Sequence, residues 1–230
     1  IRPAQMKVSW QILGPVIALG ISPFIMQSTE SLLSISFNTQ LQKFGGDVAV
    51  GAISILTSIM QFGMMPLMGL TQGAQPIISY NYGARNPQRV KKAFGILLGC
   101  SLTFTTLLWA ACQLFPQVFI LIFNSDPVLV ETASWALRIY MAVFLFFGAQ
   151  MACQQTFVAL GQAAVSLFLA LLRKVILLIP LIFILPALLQ DQVFAVFLAE
   201  PVADLLAVAT TVLLFQSRFR KILREMSEEQ

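Results

Sequence analysis

Histidine is absent from all 230 residues, so no imidazole is on hand to act as a base, to shuttle protons or to ligate a metal. Many enzyme classes go with it. Charge is scarce too: 10% of residues are charged and 58% hydrophobic, against about 25% and roughly 45–50% in a soluble domain. Water is therefore not the solvent for most of this surface. The three cysteines, Cys100, Cys112 and Cys153, sit in separate apolar runs without C-x-x-C spacing. That pattern argues for small packing residues rather than metal or redox chemistry. The mean hydropathy of +0.83 is spread along the chain instead of being confined to a leader. The expectation is an all-α, polytopic membrane helix bundle. The chain begins at Ile1 rather than Met, as a fragment of a longer protein would.

A crossing helix needs about 20 mainly apolar residues, and six stretches qualify: 10–38, 47–72, 93–115, 132–157, 164–188 and 193–215. The breaks carry turn chemistry: Lys43 to Asp47, Tyr80 to Lys92, Asn124 to Pro127, Leu160 to Gln162, and Gln190 to Gln192. Basic loops stay cytoplasmic. With the N-terminus inside, ten of the fourteen basic residues fall on the inner side: Arg2, Lys7, Arg85, Arg89, Lys91, Lys92, Arg218, Arg220, Lys221 and Arg224. This orientation puts both termini in the cytoplasm of a multi-pass protein of the cell membrane. It also accounts for the net charge of +4 without a nucleic-acid partner, for which there is no soluble basic platform.

Prolines lie in or beside most spans, at Pro15, Pro23, Pro66, Pro116, Pro180, Pro186 and Pro201. In a soluble helix each would cost about 3 kcal/mol. In a bundle, neighbouring helices satisfy the freed carbonyls, so the prolines mark either static kinks or moving, cavity-lining segments. Gly63, Gly69, Gly95 and Gly99 are expected at close helix contacts.

Gln27, Glu30, Ser31, Ser34 and Asn38 recur at spacings of three and four along the first span. They share one helical face, and that face avoids lipid. An ionisable group within a span costs about 2.5–3.5 kcal/mol or more and so looks at a cavity or a partner. Glu30 is the leading candidate for a proton- or cation-coupled carboxylate; the alternative is an acid at the outer boundary of the membrane. Glu200 and Asp204 share a face of the last span, with Asp204 about 16 Å into the membrane by helical rise. Asp204 is a second coupling candidate. Arg173 and Lys174 interrupt the fifth span, and an ion pair between helices is expected for one of them. Met60 and Met64 belong to a sulfur- and aromatic-rich run that suits an adaptable pocket or plain packing. Gln150, Gln154 and Gln155 offer hydrogen bonds to a ligand or to a neighbouring helix. Gln27, Ser34, Asn38, Met60, Met64, Gln150 and Gln154 form the expected substrate cavity.

The run Pro66, Gly69, Gln72-Gly73 and Gln75-Pro76-Ile77-Ile78-Ser79-Tyr80-Asn81-Tyr82-Gly83-Ala84, followed by Arg85, Arg89, Lys91 and Lys92, resembles the multidrug and toxic compound extrusion (MATE) family, particularly its bacterial branch. The resemblance covers nearly the whole chain: Asn38 to Gly46 looks like the end of the family's seventh helix, Gly161-Gln162 like its tenth-to-eleventh turn, and Pro201 to Asp204 like its final helix. By resemblance, residues 1–230 are the C-terminal lobe of a two-lobed transporter, with the N-terminal lobe as the missing partner. Members alternate between outward- and inward-open states and export cationic or amphipathic small molecules against proton or sodium influx. The resemblance places Glu30 close to an acidic position used by some members for cation coupling. It gives no counterpart for the coupling acid of the tenth helix, where this chain has only Gln150, Gln154 and Gln155. No cofactor is expected beyond the coupling ion, H+ or Na+. Two rival readings remain: a lipid-linked oligosaccharide flippase of the same superfamily, and an intramembrane enzyme built on Glu200 and Asp204. The first calls for a more cationic cavity. The second needs two carboxylates converging on water.

Overall fold

A computed structural model of the chain describes the backbone of residues 10–228 and the side chains of 24, 25 and 27–228. Arg2 and Lys7, counted in the charge argument, lie outside the described residues, as do the side chains of Pro15 and Pro23. In order, the elements are α1 (Trp10–Gly83), α2 (Pro87–Leu114), α3 (Pro116–Leu121), α4 (Pro127–Tyr140), α5 (Phe144–Ala159), α6 (Ala163–Leu171), a π-helical segment (Leu172–Leu178), α7 (Ile179–Leu188) and α8 (Gln192–Glu228).

Four helices are each long and apolar enough to cross a bilayer, and α4 with α5 makes a fifth crossing bent by 50°. The first of the four, Gln27–Gly83, has 57 residues. At 1.5 Å per residue it would span about 85 Å, nearly three times a hydrocarbon core of about 30 Å. It is broken at Gly46, which alone leaves helical geometry, with φ 62° and ψ −158°. Residues nearly equidistant from Gly46 line one cavity, Asn38 with Ser54, Ser34 with Thr57, and Glu30 with Gln61. The two arms therefore run side by side and supply two crossings, which brings the total among the described residues to six. The loop expected over Lys43 to Asp47 is thus a single residue, bridged by Gln42 Nε2 donating to Asp47 Oδ1 at 3.0 Å.

Other helix starts follow local chemistry. The Asn86 side chain accepts from Arg89 N with Pro87 next in line, and Asp126 accepts from Val128 N and Leu129 N ahead of α4, again with proline following. Asp191 accepts from Phe194 N at the head of α8.

The fourth crossing was expected to run unbroken over 132–157, but it unwinds at residues 141–143. No proline is present there. The cause lies on α2, where Thr105, Trp109 and Gln113 stand four residues apart on one stripe. Thr105 Oγ1 donates to Leu145 O at 3.0 Å, Trp109 Nε1 to Ala142 O at 3.1 Å, and Gln113 Nε2 to Arg138 O at 2.8 Å. Polar side chains inserted into a backbone ladder bend a helix in this way. One turn below, Gly148 lets α5 close on α2, since a Cβ there would meet Ser101 O at 2.6 Å. Close contact also holds at Gly63, where a Cβ would overlap Leu108 Cδ2. It does not hold at Gly69, Gly95 or Gly99, which have nothing within 4 Å because those faces look away from the bundle.

The π-helical segment precedes Pro180. Proline has no N–H to give Ile176 O and its ring crowds that carbonyl; the wider turn answers this, with Ile179 N donating to Lys174 O instead.

The bundle is apolar outside and partly polar inside. Phe24, Tyr80, Ile122 and Leu188 are each at least 70% exposed, a surface suited to acyl chains rather than water. Thr105, Gln150, Arg173, Glu200, Asp204 and Thr211 are buried. One core cluster joins Leu41, Leu56, Leu137, Phe144 and Phe197 beneath the cavity. The other ties Val90, Phe157, Phe215 and Phe219 together at the end where α2 begins and α8 finishes, with the Phe94 ring tilted against Phe215 at 4.6 Å between centroids.

Gly46→Ala forces a Cβ into a backbone region that glycine alone occupies readily, and is expected to cost about 1–3 kcal/mol. Gly69→Ala, in open helical space, is expected to be neutral or stabilising by roughly 0.5–1 kcal/mol. Thermal unfolding of the two variants in detergent gives the comparison; equal midpoints would mean that Gly46 is not the constrained joint.

Candidate functional site

The two arms of α1, the break between α4 and α5, the π-helical segment and α8 enclose a cavity of about 680 Å³. From the first arm come Gln27, Glu30, Ser34 and Asn38, so four of the five residues of the expected polar stripe reach it. Ser31 instead donates to Gln27 O along its own helix. From the second arm come Met60, Met64 and Met68, interleaved with Thr57 and Gln61. The methionines give this wall a deformable, polarisable surface.

The first arm continues to residue 45, past the expected end at residue 38, so Glu30 lies about 24 Å along the helix from the reversal at Gly46.

Both cations of the fifth crossing reach the cavity wall. Arg173 Nη2 donates to Glu200 Oε1 at 2.8 Å and Arg173 Nε donates to Asp204 Oδ1. The Phe147 ring covers the guanidinium, 4.7 Å from Cζ to the centroid, a favourable face for a planar cation. Lys174 forms its own ion pair, Nζ to Glu30 Oε1. One inter-helix pair was expected; there are two networks, joining the π-helical segment to α8 on one side and to α1 on the other. Three carboxylates thus stand against two cations in and beside the cavity; with all three ionised, one negative charge is left for a proton, a metal cation or a cationic guest to balance.

Asp204 belongs to this cluster but not to the cavity lining, where Glu200 stands instead. Gln150 and Gln154 were expected at the cavity and are not there. Gln150 is buried, its Oε1 without a hydrogen-bond partner, because α5 packs between α2 and α8. Gln154 Nε2 donates to Ser166 O on α6 at 3.0 Å, the helix-to-helix role. Sequence reasoning missed Tyr140 and Phe147, which flank the break and line the cavity; Tyr140 meets Phe37 edge-on at 6.4 Å. No periodic signal announces them, since they belong to a crossing whose bend is set by another helix. Glu200 and Asp204, offered as a catalytic pair, are both held by Arg173 in an ion pair between helices.

Comparison with known proteins places this geometry. The MatE family model matches residues 23–184. The multidrug export protein MepA of Staphylococcus aureus is 26% identical over 211 residues, covering 90% of this chain and 46% of that protein. The solved structure of the MATE multidrug transporter DinF-BH is 32% identical with a TM-score of 0.77, covering 97% of this chain and 49% of that one. An inward-facing MATE family transporter of the MOP superfamily shares the fold at TM-score 0.87 and 18% identity, over 95% of this chain and 50% of the other. The chain thus spans about half the length of the relatives it matches.

Replacing Arg173 with Leu strands two buried carboxylates and is expected to cost about 3–5 kcal/mol. The triple variant Arg173→Leu, Glu200→Gln, Asp204→Asn removes all three charges together and is expected to recover most of that loss. Thermal unfolding of both decides; a single variant as stable as wild type would show that the cluster is not the buried unit described.

Proposed function

This chain belongs to the MatE family, and from that premise we propose that it is the C-terminal lobe of a two-lobed secondary transporter that exports cationic or amphipathic small molecules. The second lobe, the other half of the length found in its relatives, is the partner that completes the central cavity. Alternating access rocks one such repeat against another around a shared site near the midplane. The protein sits in the cytoplasmic membrane with both termini inside, an orientation supported by the basic residues between α1 and α2 and along the end of α8.

The observation that carries this reading is the charge balance of the cavity, in which three carboxylates face two cations and half-exposed Glu30 is the acid most open to the lumen. A proton or sodium ion bound at Glu30 biases the lobe between its two states, because coupling requires unequal affinity for the ion in each. Asp204 acts behind it, setting the charge of the Arg173 cluster. Gln27, Ser34, Asn38, Met60 and Met64 receive the substrate: an adaptable methionine wall for its apolar body, amides and a hydroxyl for its polar edge. A flippase for lipid-linked oligosaccharides calls for a more cationic cavity, and here the acids of the ion-pair networks outnumber the cations.

In the full-length transporter reconstituted into vesicles, Glu30→Gln is expected to abolish gradient-driven export of a cationic dye, by about tenfold or more in initial rate. Imposing proton and sodium gradients separately identifies the coupling ion. Undiminished export by Glu30→Gln under both gradients would remove Glu30 from the mechanism.

A further inference from the structure

The two networks on the cavity wall differ in kind. Arg173 is buried, donates to two buried carboxylates, and has a phenyl ring over its face. Its planar fork is held at several points and is not free to leave. Lys174, the next residue, reaches the opposite wall, where it makes one contact with one carboxylate. Both side chains of that pair are open to the cavity, Lys174 at 21% and Glu30 at 51%. An ammonium on a flexible four-carbon stem is a point charge that can swing.

The geometry points to Lys174 as a tethered counter-cation, which holds Glu30 while the cavity is empty and yields it when a monovalent cationic guest arrives. This deepens the exporter reading and rests on it. An unpaired carboxylate in a low-dielectric wall is costly, and the tether removes that cost in the empty state. A guest takes Glu30 only by bringing a positive charge of its own, so a neutral compound of similar shape cannot displace the lysine.

The displaced ammonium has somewhere to go. Arg173 is the one cation in ion-pair contact with Glu200 and Asp204 among the described residues, so with both acids ionised that cluster carries one negative charge in excess, and Glu200 lines the same cavity as Lys174. With one monocation bound, three positive charges meet three carboxylates. A neutral guest leaves the deficit in place and a dication overshoots it. Lys174 is therefore a specificity-determining residue, and its transfer from α1 toward α8 carries the occupancy of one wall to the other.

The test uses the purified full-length transporter at fixed pH, with two fluorescent probes read by polarisation: ethidium, a monocation, and Nile red, which is neutral. Lys174→Met is expected to tighten ethidium about tenfold while moving Nile red by less than about twofold. Lys174→Gln gives the same comparison should the methionine variant not fold, and Lys174→Arg, which restores a cation, is expected to reverse the gain. Combining Lys174→Met with Glu30→Gln is expected to abolish it. Unchanged or weaker ethidium binding in both neutral variants, with Glu30→Gln still weakening the dye, overturns the tether and leaves the exporter reading standing. A gain that survives Glu30→Gln overturns it as well, since the lysine would then not compete at that carboxylate. Ethidium binding indifferent to both residues removes the tether and the exporter reading together.

Discussion

Arg173 stands between Glu200 and Asp204, all three buried in the protein, where little water reaches to stabilise a charge. In hydrocarbon an ion that is not met inside the protein is expelled or neutralised, so the guanidinium fixes the distance between the fifth and sixth crossings. The π-helical segment, the proline that follows it and the buried face of α8 are arranged around this contact. Because Arg173 is held on the α8 side, Lys174 is left facing the first arm of α1, and a cavity with acids on two walls results.

Backbone groups obey the same rule. Where α4 gives way to α5, three carbonyls lose helical partners or share them, and Thr105, Trp109 and Gln113 of α2 supply donors at the matching height. The fourth crossing is therefore bent and yet satisfied, which only a neighbour with polar groups on one stripe can bring about. The bend turns Tyr140 and Phe147 toward the cavity on either side of it. Tertiary hydrogen bonding, more than local sequence, sets the aromatic rim of the site.

Much of this was legible in the residues. Apolar length gave the crossings, capping residues with proline gave several boundaries, and the three-and-four spacing of Gln27, Glu30, Ser34 and Asn38 gave one wall of the cavity. What escaped depends on contacts far apart in sequence. The reversal at Gly46 resembles a loop in composition, yet the chain stays helical to within one residue of it on both sides. The bend at 141–143 has no proline or glycine in it and is dictated from α2. The pairing of Lys174 with Glu30 joins residues 144 apart in the chain, and two basic neighbours in a span do not say which acid each will meet. Gln150 and Gln154 looked like cavity residues because a polar group in a span implies a partner; the partner of Gln154 proved to be a neighbouring helix.

The reversal at Gly46 also gears the two arms of α1 to each other. A conventional loop would absorb an inserted or deleted residue by changing its path, but here helix begins again at once. One residue gained between Gly46 and Asn38 would rotate the whole polar stripe by about 100°, carrying Glu30 out of the lumen toward the acyl chains. Length between the joint and the stripe is thus fixed as firmly as residue identity, so that drift in this stretch is restricted to exchanges and closed to insertions.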